Sequence, residues 1–230
     1  RKRRIQHRSG RMWFFNSKAI DWLLERADPP AGMERDGSGW TGRLFDEDLW
    51  LRKTMAGSLP CFAALSQELL SYGVTGVTDM TPSNDPSLAQ QMRGQQQSHQ
   101  LQQKLLLAGQ MNLAEGLFDD QLQLGPAKLH LHEWQLPEFD AMTAFLSQSH
   151  AQGRGVAVHC TTEVELVYAL AGFRAAGPMA GDRIEHGGIA SDELVAQCAQ
   201  LGLAVVSQPH FIAERGDQYL RDVEPDQHAH

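Results

Sequence analysis

Two histidines each close a short segment that is predicted to be a β-strand. His159 ends the run Gly-Val-Ala-Val-His, and His186 ends Arg-Ile-Glu-His one strand–helix unit later. Since the carboxyl ends of parallel strands meet at one face of an α/β barrel, the two imidazoles are expected to lie close together. Imidazole nitrogen is a common zinc ligand, so the pair predicts a metal site. The alternative for either histidine alone is a core residue hydrogen-bonded to a carbonyl group.

Lys128 lies in a third segment of this kind, Ala-Lys-Leu-His-Leu-His. The period of two in a β-strand places Lys128, His130 and His132 on one face. Two interpretations stay open. The face is a rim wetted by solvent, or Lys128 lines a barrel and is desolvated enough to react or to bind a metal as a carbamate.

Three further residues lie at or next to these strand ends. His210 follows Ser-Gln-Pro, and its predicted role is substrate contact or proton transfer, because imidazole can exchange protons near neutral pH. Cys160 directly follows His159, so it is expected to face the other side of the strand and to fill the core. Glu185 is expected to point away from the barrel mouth that His186 faces.

The elements that position these side chains alternate between strands and helices from residue 60 onward. Successive candidate residues are about 24 to 31 residues apart, and an eight-unit barrel of about 250 residues allots about 31 residues to each unit. Thr162 with Glu165, and separately Ser191, are predicted to cap helices. Strands are predicted at 74–79, 104–108, 127–131, 155–159, 183–186 and 203–208. Six parallel strands predict an incomplete α/β barrel.

The composition limits the class of protein. The chain has 230 residues, of which 42% are hydrophobic, which is enough for one large core. Three cysteines without paired spacing argue against a disulfide framework and favour a reducing compartment, here predicted to be the cytoplasm. The net charge of -8 disfavours general nucleic-acid binding. No apolar run approaches the roughly 20 residues of a membrane span.

The first 59 residues differ in pattern from the rest. They carry four of the five tryptophans and show little regular alternation, so we divide the chain into residues 1–59 and 60–230. A basic tract near the start is open to interpretation as a localisation or anion-binding segment. Apolar residues interleaved with its charges favour a folded segment instead. The tract consists of Arg1, Lys2, Arg3, Arg4, Arg8 and Arg11.

Several motifs occur in a fixed order along nearly the whole chain. They are Gln-His-Arg-Ser-Gly-Arg from residue 6, Asn-Ser from 16, Gly-Val-Thr-Gly-Val-Thr-Asp-Met from 73, Gly-Val-Ala-Val-His-Cys-Thr-Thr-Glu-Val-Glu-Leu from 155, Gly-Asp-Arg-Ile-Glu-His-Gly from 181 and Val-Ser-Gln-Pro-His-Phe-Ile-Ala-Glu-Arg-Gly-Asp from 206. In this succession the chain resembles metal-dependent hydrolases of the amidohydrolase superfamily. Within it, the chain is similar to amidohydrolase family 3, which includes N-substituted formamide deformylase-like proteins.

The resemblance implies roles for particular residues. His159 and His186 correspond to the metal ligands of the fifth and sixth barrel strands, and Lys128 to a strand-four lysine that is carboxylated in many members. One or two divalent ions, with zinc expected, would activate water to hydrolyse a C–N bond such as an amide or formamide. Substrate contacts are implied for four residues, which are His7, Arg8, Asn16 and His210.

The superfamily completes its metal site with a His-x-His pair on the first strand and an aspartate on the eighth. No such pair precedes residue 60, and the His-x-His pattern of the predicted fourth strand is His130-Leu131-His132. The resemblance therefore predicts strands 2 to 7 of a TIM-type (β/α)8 barrel with an inserted N-terminal segment, as a fragment of the hydrolase. The alternative is a non-catalytic barrel remnant that binds a ligand or partner. We expect a small-molecule substrate, no nucleic acid and no membrane, and we leave a homodimer open.

Overall fold

The computed structural model describes residues 1–7, 10–55 and 59–228. These form two compact units, Arg1–Pro60 and Cys61–His230.

The first unit is a four-stranded antiparallel sheet with two helices. The strands follow the spatial order β1-β2-β4-β3. The elements are β1 (Arg4–Gln6), β2 (Met12–Phe15), α1 (Ser17–Leu24), β3 (Met33–Asp36), β4 (Gly39–Phe45) and α2 (Asp48–Met55). A small core of Leu23, Met33, Leu44 and Leu51 is surrounded by partly buried tryptophans. The described residues of the basic tract therefore belong to a folded unit, as the interleaved apolar residues predicted.

The second unit alternates strands and helices. Its elements are α3 (Ala63–Ser71), β5 (Gly76–Asp79), α4 (Pro86–Gln97), β6 (Lys104–Gly109), β7 (Leu122–His130), α5 (Phe139–Ala151), β8 (Val156–Cys160), α6 (Glu163–Ala176), β9 (Arg183–His186), α7 (Asp192–Gln200), β10 (Ala204–Val206) and α8 (His210–Asp222). Three short 3₁₀ helices cover Met111–Glu115, Glu133–Gln135 and Pro225–Gln227. No helix in the described part of the chain has the length and apolar character needed to cross a membrane.

The six strands β5 to β10 form one parallel sheet in sequence order, with every neighbouring pair parallel. All six predicted strands are present, although their ends differ. β7 begins earlier than predicted because residues from Leu122 onward pair with β6, across a Gly-Pro sequence that resembles a turn. β10 has only three residues, all exposed, and pairs with β9.

The helix ends confirm the predicted capping. The Thr162 side chain accepts a hydrogen bond from the Glu165 backbone, and Glu165 reaches back to the cap, which is a complete capping box at the start of α6. The Ser191 side chain caps α7 by accepting a hydrogen bond from the backbone N–H of Leu194. These local bonds fix where each helix leaves the sheet, and so where the preceding loop must turn.

One face of the sheet is covered by α5, α6 and α7. Val156, Val158 and Ile184 point into this core, where they meet residues such as Phe173, and all four are completely buried. Cys160 is also completely buried here, as predicted, and burial raises the pKa of its thiol. The core therefore lies on one side of the sheet. The strand residues that alternate with the core residues have their side chains on the opposite face.

The sheet is curled around that opposite face. Arg183 on β9 donates a hydrogen bond of 2.8 Å to the sulfur of Met80, the residue that directly follows β5. Three strands separate β5 from β9, and four inter-strand spacings would hold them about 19 Å apart in a flat sheet. Only a curled sheet lets these side chains meet. The second unit is thus a half-barrel, consistent with an incomplete TIM-like barrel.

Candidate active site at the carboxyl edge of the half-barrel

Four imidazoles form a continuous row across the carboxyl ends of β7, β8 and β9. His130 and His159 are register partners on neighbouring strands, and their ring centroids are 4.1 Å apart. His132 lies 4.3 Å from His130, and His186 lies 4.5 Å from His159, again between centroids. We call these four residues the histidine row. Parallel strands bring it together from positions that are distant in sequence, as the spacing predicted.

His186 joins the row through an unusual backbone conformation. Its strand register pairs it with Cys160, whose side chain enters the helix-covered core. The φ angle of His186 is 77°, in the left-handed region that residues other than glycine rarely adopt. Gly187 continues the turn with φ 58°. This turn carries the imidazole away from the core and towards His159.

The His186 ring is also oriented by a hydrogen bond. Its Nδ1 lies 2.5 Å from the side-chain oxygen of Gln208, which follows β10. Because an amide oxygen only accepts, Nδ1 is the donor in this hydrogen bond. A metal-binding histidine needs this kind of support from its second ring nitrogen. One feature of the sequence could have identified Gln208, which is its position at the end of a predicted strand. His210 follows the same strand end and was predicted as the functional residue instead.

The protein environment keeps the central imidazoles neutral. Desolvation is the main cause that lowers the pKa of His159 to about 3 and that of His130 to about 4, and the neighbouring histidines and Lys128 contribute to both shifts. His159 is half-buried, whereas His130 is more open to solvent. A neutral imidazole is the form that binds a metal ion. His130 and His159 therefore have the protonation state that metal binding requires.

Lys128 is buried on the same face as His130. Its exposed fraction is 8%, and burial lowers the pKa of its ammonium group to about 8, although the Glu185 carboxylate opposes this shift. Of the two interpretations left open by the sequence, the burial favours a desolvated lysine that lines the half-barrel.

Glu185 lies on the concave face of the sheet, which corrects the expectation that it would point away from the site. Residues 183 and 185 are two apart on β9, so Arg183 and Glu185 share a face, and strand register places Glu185 beside His159. The carboxylate is 5% exposed and forms an ion pair with Arg183 at 2.6 Å. The expectation was wrong because His186 leaves the strand alternation and turns back.

Glu165 is a residue that the sequence indicated only as a helix cap. Its buried carboxylate accepts hydrogen bonds from the backbone N–H of Glu133 at 3.0 Å and of Thr161 at 2.6 Å. Those two residues follow β7 and β8. One carboxylate therefore ties together the loops that leave the strands of His130 and His159.

The donor chemistry of the row fits a divalent metal ion, but the arrangement is incomplete. Neutral imidazoles are suitable ligands for zinc, and a lysine would bind the ion as a carbamate. Within residues 1–7, 10–55 and 59–228, however, no three histidine, cysteine, aspartate or glutamate side chains are arranged to hold one ion. Metal binding by His159 and His186 therefore stays a prediction.

The remaining candidate residues make local contacts. His210 is the exposed first residue of α8 and packs edge-on against Phe211, with 4.6 Å between ring centroids. Asn16 caps α1 by accepting from the Ala19 N–H at 3.2 Å. His7 is exposed and packs edge-on near Phe14. Arg8 lies outside the described residues, and substrate contact by these side chains stays a prediction.

Comparison with known proteins identifies the fold. No protein-family model matches the chain, and no curated protein matches it. The chain is similar to the crystal structure of an uncharacterized metal-dependent hydrolase from Pyrococcus horikoshii OT3, with a TM-score of 0.76 and 18% identity over 99% of this chain and 52% of that chain. A second uncharacterized metal-dependent hydrolase, from Pyrococcus furiosus, gives a TM-score of 0.70 and 20% identity over 93% of this chain and 52% of that chain.

The chain therefore spans about half the length of the two solved structures that it resembles. At this level of identity the likeness establishes the fold alone. The curled parallel half-barrel is the fold that this chain shares with part of those two metal-dependent hydrolases.

Proposed function

We propose that the chain is part of a metal-dependent hydrolase that cleaves C–N bonds such as those of amides or formamides. The observation that carries the proposal is the histidine row, with neutral imidazoles at the carboxyl edge of a parallel half-barrel. Catalytic groups of α/β barrels stand at this edge. The fold shared with two metal-dependent hydrolases supports the same conclusion.

In this proposal His159 and His186 bind the metal, which is zinc, and Lys128 stands beside them as a further ligand or bridge. A divalent ion held there would activate water and polarise the scissile carbonyl group. Gln208 fixes the ring of His186 so that Nε2 is available. His210 is assigned to proton transfer or substrate contact.

The missing ligands come from barrel strands beyond the six described here. β5 and β10 end the sheet in sequence order, and each has only one strand neighbour. We infer that these six are strands 2 to 7 of a barrel, that residues 1–59 are an insertion, and that a longer chain supplies the rest. The 52% coverage of the two related structures supports this inference.

The experiment is a zinc titration by calorimetry on the 230-residue chain. Wild type is expected to bind zinc, and His159→Ala and His186→Ala are each expected to weaken binding about 10- to 100-fold, since each removes a ligand. The matched control is His99→Asn, which removes an exposed histidine in a left-handed conformation that asparagine tolerates. Equal binding by all four proteins would contradict the metal assignment.

Activity is measured on the full open reading frame that encodes the chain, with zinc and a panel of formamides and amides. The proposal expects hydrolysis that both histidine variants abolish. The alternative, a non-catalytic remnant that binds a ligand or partner, predicts neither zinc binding nor hydrolysis. The cytoplasmic location and the homodimer stay predictions.

A further inference from the structure

The first unit contains a cavity of about 280 Å³ that the proposed hydrolase chemistry does not use. Its lining divides into two parts. Phe15, Ala19, Trp22, Leu23 and Met55 form an apolar floor and wall, while the side chains of Lys2, Arg3 and Arg4 stand at its rim. Ala19 and Leu23 are buried, so the floor belongs to the stable core of this unit.

Two cations at the rim, Lys2 and Arg4, contact aromatic rings and a sulfur atom. The Lys2 ammonium lies 4.1 Å from the centroid of the Trp22 ring. The Arg4 guanidinium lies 5.2 Å from the Trp13 centroid and donates to the Met55 sulfur at 2.8 Å. Among the residues that the structure describes, no carboxylate forms an ion pair with Lys2, Arg3 or Arg4.

Two physical requirements follow for an occupant. Three positive charges without acidic partners favour an anion at the rim, because an opposite charge there lowers the electrostatic free energy. The apolar floor, with the ring of Phe15 in it, favours a planar hydrophobic body, since aromatic rings pack on such a surface. A cavity of this size lies at the small end of ligand sites, which limits the body to one or two rings.

We propose that this cavity binds a small aromatic carboxylate, with the ring against Phe15 and Leu23 and the carboxylate between Lys2 and Arg3. The basic tract near the start of the sequence thereby has a specific role as the charged rim of a ligand site. The proposal is independent of the histidine row, which belongs to the other unit.

Binding of naphthalene-2-carboxylate to the 230-residue chain is measured by calorimetry. The expected result is saturable binding with one site. Naphthalene-2-carboxamide has the same rings without the charge, and acetate has the charge without the rings. Both are expected to bind at least about tenfold more weakly, because each meets only one of the two requirements.

The double variant Lys2→Gln/Arg3→Gln removes the charges proposed to hold the carboxylate. Both side chains are exposed, so the fold is expected to persist, which a thermal melt checks. The affinity is expected to fall about tenfold, because two exposed ion pairs together contribute about that much to binding. The control is Arg35→Gln, an exposed cation 5.2 Å from the Trp40 centroid and outside the cavity.

Absence of binding, equal affinity for the carboxamide, or equal losses in the double variant and the control would each overturn the proposal. Zinc binding by the histidine row is measured separately, so failure of this proposal leaves the hydrolase proposal unaffected, and the reverse also holds.

Discussion

Arg154 is a buried arginine whose guanidinium group donates hydrogen bonds to backbone carbonyls. Its exposed fraction is 4%. It reaches the oxygens of Gly125 at 2.7 Å, Gln110 at 2.8 Å and Pro126 at 3.0 Å. Burial lowers its pKa to about 10, which still leaves it charged at neutral pH. One side chain thus joins the start of β8 to the loop after β6 and the middle of β7.

Replacing Arg154 is therefore expected to destabilise the half-barrel. Arg154→Met keeps much of the side-chain volume but leaves several buried carbonyl groups without donors, and we expect a loss of about 3 kcal/mol in the free energy of unfolding. Urea unfolding measures this loss. The control is Arg174→Met, whose exposed guanidinium bonds only Gln197 in the described structure, and which should cost less than about 0.5 kcal/mol. Equal losses would show that Arg154 has no special structural role.

At the scale of the element, the loops that follow the strands decide the position of the site. α6 starts with a capping box between Thr162 and Glu165, and the same Glu165 carboxylate bonds the loops after β7 and β8. The helix start, the two loops and the nearby histidines are thus connected through one residue. A change at the cap is expected to affect the start of α6 first, and then the two loops through the Glu165 carboxylate.

Thr162→Ala is expected to lower the free energy of unfolding by about 1 kcal/mol, because it removes the acceptor for the Glu165 backbone N–H at the start of α6. Urea unfolding again provides the measurement. Thr143→Ala is the matched control, since the Thr143 hydroxyl lies inside α5 and donates only to the Phe139 carbonyl. It should be neutral or slightly stabilising, as alanine is a better helix former. A neutral Thr162→Ala would argue against the capping role.

At the scale of the whole molecule, the β10 edge is where the proposed further barrel strands would join the half-barrel, and in the 230-residue chain alone this edge is open to association. β10 pairs with β9 and is exposed along its three residues, and Val205 has an exposed fraction of 48%. An edge strand presents unpaired backbone groups that another chain can extend. We place the contact of the homodimer that the sequence leaves open at this edge of the 230-residue chain.

Val205→Lys is expected to reduce concentration-dependent self-association, because a lysine on an edge strand opposes pairing with a second chain. Analytical ultracentrifugation over a range of concentrations tests this. The control is Val195→Lys, which adds the same charge at an exposed valine on α7, where the exposed fraction is 54%. If both variants associate like the wild type, the edge is not the contact.

Much of the second unit follows from local sequence. Its six strands, the caps at Thr162 and Ser191 and the burial of Cys160 were predicted correctly, because each depends on alternation or on contacts within about four residues. The first unit was not resolved into strands, since its antiparallel sheet has short strands of mixed burial and no regular alternation.

The sequence by itself determined that His159 and His186 end neighbouring strands, and that Lys128 shares a face with His130. Only the tertiary structure decided that His186 turns back towards His159, that Glu185 is buried on the concave face, and that Gln208 orients the His186 ring. The physical reason is that strand periodicity fixes which way a side chain points relative to its own backbone. The curl of the sheet and the left-handed turn at His186 fix what that side chain meets.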